Sequence, residues 1–146
     1  MIKELLDGAT ALGACRKTDG IDTLDKLVAL YESPQGREFC AKHNYPSREQ
    51  WLRIGQHWSD EELTKRNLFI DNRYAHILER NPGYIVLVGA STKAQIVVAG
   101  ADEKQTIVAL HGATASITAS DYAVFEMITD GTADVAITKD DTCIQL

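Results

Sequence analysis

The chain has 146 residues, is 45% hydrophobic and carries a net charge of −6; this suits one compact domain or two small lobes and is too apolar for a disordered chain. No apolar run approaches the roughly 18–20 residues that span a bilayer, and Met1-Ile2-Lys3-Glu4-Leu5-Leu6-Asp7 carries acids in place of a secretory apolar core, so a cytoplasmic protein is expected. Residues 1–80 hold 12 Lys/Arg against 13 Asp/Glu, whereas residues 81–146 hold 3 against 8, and so acidic a second half repels a phosphate backbone.

In chain order, Ile2, Leu5, Leu6, Ala9 and Leu12 fall on one stripe of an amphipathic helix. Arg16 to Gly20 reads as a polar turn, after which Asp22 is placed to cap a second helix with Leu24, Leu27, Val28 and Tyr31 on its apolar face. Ser33-Pro34 predicts a third helix, with the serine as N-cap and the proline in the first turn, and with Phe39 and Cys40 pointing inward. It ends at His43-Asn44-Tyr45-Pro46, because a residue before proline resists the α conformation. Ser47-Arg48-Glu49-Gln50 and Ser59-Asp60-Glu61-Glu62 are capping boxes for two more helices, and Asn67 suits a left-handed cap. The predicted core of this head is Leu5, Leu12, Leu24, Leu27, Phe39, Trp51, Leu52 and Leu63. Some 67 residues bury only a marginal core alone, so the head is expected to pack on the remainder of the chain.

From Leu68 the texture changes to short runs rich in Ala, Val, Ile and Thr. Their centres lie near Leu87, Ile96, Val108, Ile117, Glu126, Val135 and Ile144, nine residues apart except for one polar insertion at Ala101 to Gln105. The fold class is therefore α+β, with a helical head over residues 1–67 and a short parallel β-solenoid over residues 68–146. Small alternating residues (Ala94, Ala115, Ala119, Ala133) suit a narrow stacked interior, and Ala94–Val98, Ala115–Ala119 and Ala133–Ile137 look like copies of one element. An antiparallel sandwich is the alternative. The head is expected to cap the N-terminal end of the stack. Glu126 is solvated if Phe125 and Met127 face inward. Thr142 to Leu146 ends on apolar residues, which motivates self-association through an open edge.

No catalytic, cofactor or metal residue is assigned. Cys40 and His43 have metal-ligand spacing, and Cys15 and His57 could complete four ligands, but structural zinc sites show two paired motifs. Cys15, Cys40 and Cys143 make a poor disulfide framework and read as free thiols; Cys40 or Cys143 as a nucleophile lacks an orienting third group. His111 reads as a turn histidine. Asp140-Asp141 and Asp60-Glu61-Glu62 read as turn and helix-start acids, and no nucleotide loop occurs. Asp102, Asp121, Asp130 and Asp140 recur at the turns, without the glycine-aspartate nonapeptide of calcium-binding solenoids. Arg48 and Arg53 could face DNA in a helix-turn-helix, which Glu49 and the neutral head weaken. Trp51, Trp58 and Tyr45 read as core.

The stretch Ser33-Pro34-Gln35-Gly36-Arg37-Glu38-Phe39-Cys40-Ala41-Lys42-His43-Asn44-Tyr45-Pro46-Ser47 resembles a segment of small proteins of gut Bacteroidales and their mobile elements, which similarly join a helical head to a β-repeat tail. The resemblance carries no activity and transfers no functional residue; it implies an intracellular, accessory or phage-linked protein. The expectation is a non-enzymatic structural or protein-interaction module, self-associating through its β lobe, with no membrane or nucleic-acid partner. A DNA-binding regulator and a small cysteine-dependent hydrolase are the alternatives.

Overall fold

Five helices precede nine strands in the computed structural model, which describes residues 1–14, 20–71, 75–78 (backbone), 83–100 and 103–146. The helices are α1 (Ile2–Ala11), α2 (Leu24–Glu32), α3 (Pro34–His43), α4 (Arg48–Gly55) and α5 (Asp60–Lys65). Their starts follow local chemistry. The Ser33 hydroxyl accepts the Gly36 amide with Pro34 in the first turn, and Ser47 and Ser59 each complete a reciprocal capping box with Gln50 and Glu62. Asn44 ends α3 in the left-handed conformation, and Asn67 is left-handed after α5. One cap differs from expectation. Thr23, not Asp22, caps α2, because its hydroxyl sits three residues before the Lys26 amide, while Asp22 pairs with the Lys26 ammonium at 2.7 Å. The turn expected at residues 16–20 lies, but for Gly20, outside the described residues.

The strands are β1 (Leu68–Ile70), β2 (Ala75–Leu78), β3 (Tyr84–Val88), β4 (Lys93–Ala99), β5 (Gln105–Leu110), β6 (Thr114–Ser120), β7 (Val124–Thr129), β8 (Asp134–Lys139) and β9 (Ile144–Gln145). They form two all-parallel sheets in the orders β1-β3-β5-β7-β9 and β2-β4-β6-β8. Each coil thus gives one strand to each sheet, which is a β-solenoid and not a sandwich. Between the sheets lie Leu87, Ile107, Ala109 and Phe125 from one side and Ala94, Ile96, Val98, Ala115, Ile117 and Ala119 from the other. Ala94 sits beside Ala115, and Ala115 beside Val135. Val135, not Ala133, is therefore the third copy. The two-residue slip is invisible to an alternating pattern, because strand side chains repeat with period two.

The head is expected on the N-terminal end of the stack; among the described residues it packs against the flank. Leu5, Leu27, Val28, Tyr31, Cys40, Trp51, Ile54 and Leu63 share one core cluster with Leu68, Ile70, Val86, Val88, Val108 and Leu110, the outward residues of the five-stranded sheet. The reason is in β3 and β5, which are apolar at nearly every position and buried on both faces. Such strands need a cover, each buried aliphatic side chain contributing about 1.5–3 kcal/mol. In contrast β4 and β6 alternate buried and exposed residues and turn one face to water. Of the predicted head core, Leu12 is 40% exposed, because α1 stops at Ala11. Leu24 and Leu52 are half-buried and pack on the cluster, and Phe39 is half-buried.

Candidate functional site

The polar residues that stand out in the sequence mostly have structural partners. Cys40 is buried in α3, and burial pushes its thiol up to about 12, which opposes thiolate chemistry at neutral pH. His43 stacks on Phe39, ring centroids 4.5 Å apart, His57 is exposed, and Cys15 lies outside the described residues. Among the described residues no three His, Cys, Asp or Glu converge as a metal set. Cys143 is a buried free thiol whose Sγ lies 3.4 Å from Asp140 Oδ1. Arg48 and Arg53 face Asp71 at 3.1 Å and Glu4 at 3.2 Å, so each half-exposed guanidinium already has a carboxylate. Trp51 is buried against Tyr31, Tyr45 donates to the Leu5 carbonyl at 2.6 Å, and Trp58 lies under the Arg66 guanidinium, 4.3 Å from its ring centroid.

The turn acids form a ladder. Asp130 Oδ2 accepts the His111 amide at 2.8 Å from the coil below, and its Oδ1 accepts the Thr132 amide and hydroxyl. Burial raises the Asp130 carboxyl, but these donors outweigh it and hold the group below its ordinary value. Thr132 Oγ1 in turn accepts the Gly112 amide at 2.8 Å, and Thr142 Oγ1 accepts the Tyr122 amide at 2.9 Å. Each coil so secures the left-handed turn of the one before, at His111 and Tyr122. The Thr142 hydroxyl and amide likewise hold Asp140 low. The His111 ring bonds the Pro46 carbonyl at 2.8 Å and ties this turn to the head. Asp102 lies outside the described residues.

Sequence reasoning passes over a buried group at the seam of head and sheet. Glu32, in the last turn of α2, is 6% exposed and its Oε2 has no protein partner. Burial pushes its carboxyl up to about 7, against the opposing pull of the nearby Tyr84 hydroxyl, Arg66 and Arg37. Arg37 lies over the Tyr84 ring, 5.0 Å from its centroid. Beside it opens a cleft of ≈ 240 Å³ between Pro34, Arg37 and Glu38 of α3 and Lys104, which precedes β5, with Thr106 and Glu126 of the sheet. Lys104 and Glu126 pair there at 3.0 Å, so Glu126 is half-buried on the outward face while Phe125 faces in. The signal for Glu32 is legible: an acid in a helix's last turn opposes the helix dipole. Lys104 and Glu126 neutralise each other on the sheet side, while Arg37 forms no ion pair among the described residues and its Nε is buried without a partner.

The terminal coil differs from all of this. Ile144 and Leu146 are 56% and 63% exposed, and Tyr122 is 64% exposed in the turn below. Ile144 stands beside Val124 on the outward face of the five-stranded sheet, where α3 reaches as far as β7. On the inner side Met127, Val135 and Ile137 are only partly buried. Neither β8 nor β9 has a strand partner on its outer edge among the described residues. Among the described residues no helix is long and apolar enough to cross a membrane. No family model, curated protein or solved structure matches the chain.

Proposed function

We propose that the chain is a non-enzymatic protein-interaction module that self-associates through the terminal coil of its β lobe. The observation that carries this is the coincidence there of open strand edges on β8 and β9 with Ile144 and Leu146, both more than half exposed. Open edges are templates for another strand, and repeat stacks need a covered end. The buried, proton-retaining Cys40 and the carboxylate-paired Arg48 and Arg53 weigh against a cysteine hydrolase and a DNA-binding head. Light scattering across a concentration series tests the reading. The unmodified chain is expected to dimerise with rising concentration, and Ile144→Asp with Leu146→Asp to remain monomeric with unchanged circular dichroism. An unmodified chain that stays monomeric at high concentration ends the proposal.

A further inference from the structure

The cleft between α3 and the sheet holds two charges that no described residue neutralises. Lys104 and Glu126, on its sheet side, pair with each other at 3.0 Å. Arg37 and Glu38, consecutive on α3, line the same cleft, and neither forms an ion pair among the described residues. The unpaired charges of the cleft are therefore one cation and one anion. We propose that this cleft binds a free α-amino acid, with Arg37 holding the carboxylate and Glu38 the ammonium group. None of its lining residues belongs to β8 or β9, so binding there does not depend on self-association.

The guanidinium is positioned by the fold itself. It lies over the Tyr84 ring, 5.0 Å from the centroid, and its Nε is buried with no partner. Glu32, the buried acid nearby, does not cancel it, since burial holds that proton up to about 7. A guanidinium forks onto a carboxylate with two parallel N–H···O bonds, a stronger and more directional contact than a neutral one. Other ligand classes match the walls less well. A phosphate dianion meets Glu38 and Glu126 as well as Arg37, and like charges at close range disfavour it. An amine without a carboxylate leaves Arg37 unmatched, and a carboxylate without an amine leaves Glu38. Size selects too. At ≈ 240 Å³ the cleft falls below the roughly 300 Å³ at which ordinary ligand pockets begin, so its ligand is small. Pro34 and Ile128 add apolar wall, which suits a short aliphatic side chain such as that of valine.

A proton–nitrogen NMR titration of the full chain at pH 6 tests this, with L-valine as the probe. L-valine is expected to saturate with a dissociation constant in the millimolar range or below, and to shift the amides of Arg37, Glu38 and Thr106 first. Isobutylamine, which lacks the carboxylate, is expected to bind about tenfold more weakly. Isovalerate, which lacks the ammonium group, is expected to bind a few-fold more weakly, because Glu38 is exposed and its pairing is screened by water. Arg37→Gln is expected to weaken L-valine about tenfold. Glu38→Gln alters only an exposed side chain, for the event that Arg37→Gln disturbs folding, and is expected to bring L-valine and isovalerate to like affinity. The proposal is overturned by isovalerate binding the unmodified chain as tightly as L-valine, by shifts confined to residues outside the cleft, or by no saturation at any soluble concentration. L-valine affinity unchanged in both variants overturns it as well.

Discussion

Each sheet of the solenoid is all-parallel and the two are joined coil by coil, yet their outer faces meet different surroundings. On the five-stranded sheet, Val86, Val88, Val108 and Leu110 lie under the helices. On the four-stranded sheet, the register positions Gln95, Ser116 and Ala136 form a row facing water, as do Val97, Thr118 and Thr138. The lesson is that the helical head is the second wall of a sheet whose central strands, β3 and β5, are buried on both faces. The interior between the sheets is common to both, so a change placed on either outer face reads the cover alone.

The largest break in the comparison is expected from Val108→Asp. Val108 is 1% exposed between β5 and the helices, and an unpaired carboxylate there costs about 4 kcal/mol or more, a large share of a typical total of about 5–15. Urea denaturation is expected to show loss of cooperative folding or a midpoint near zero denaturant. A smaller break comes from the seat of α3. A methyl at Gly36 would run into the Leu30 carbonyl oxygen, which is backbone and cannot swing aside. Gly36→Ala is therefore expected to lose about 1–3 kcal/mol, although alanine in a helix interior otherwise gains up to about 1 kcal/mol over glycine. A stabilised variant would show that α2 and α3 part easily.

Much of this difference was legible in the residues. Ile85-Val86-Leu87-Val88 and Ile107-Val108-Ala109-Leu110 are unbroken apolar runs, while Ala94 to Ala99 and Thr114 to Ser120 alternate. That contrast separates a two-sided strand from a one-sided one, and it points to the flank as the head's seat. Capping boxes placed α4 and α5 because serine and a reciprocal acid or amide act locally. Register was not legible, because it is set by hydrogen bonds between coils: Thr132 to Gly112 and Thr142 to Tyr122, each 20 residues apart. β2 escaped reading since four residues between polar stretches have no period of their own and depend on pairing with β4. Gln105, placed in the polar insertion, is instead the first residue of β5, buried and accepting the Gly83 amide at 2.9 Å. In the last described coil, the apolar Ile144 and Leu146 were visible in the sequence, but their exposure and the strand order of β8 and β9 were not.

Glu32 offers an intermediate effect that depends on pH. Its carboxyl ionises near 4.5 in the unfolded chain and near 7 in the folded one. Below 4.5 both states are protonated and burial costs nothing through ionisation. As the pH rises between these values the unfolded chain releases a proton that the folded chain keeps, so stability falls, and the loss is complete above about 7. Glu32→Gln removes this titration and keeps a hydrogen-bonding group beside Tyr84. It is expected to gain about 1–2 kcal/mol at pH 8 and to match the unmodified chain near pH 4. A loss at pH 8 would mean that Arg37 and Arg66 stabilise the charge more than burial penalises it.

The smallest effect is expected from Val97→Asp, the same chemical change as at Val108 made on the uncovered sheet. Val97 is 38% exposed and stands beside Thr118. Its side chain points to water, where a carboxylate stays solvated and leaves no cavity behind. What is lost is β-branched packing along one row, and the cost is expected to stay within about 1 kcal/mol, with unchanged circular dichroism and only a small shift of the urea midpoint. Val97 also lies in β4, two strands from the β8 edge, so the dimer joint at β8 and β9 is expected to hold. If Val97→Asp instead lowered stability by as much as a buried substitution, the four-stranded sheet would have to be covered as well. If it abolished dimerisation with stability intact, the contact between copies would lie on the flat face of that sheet and not at the edges of β8 and β9.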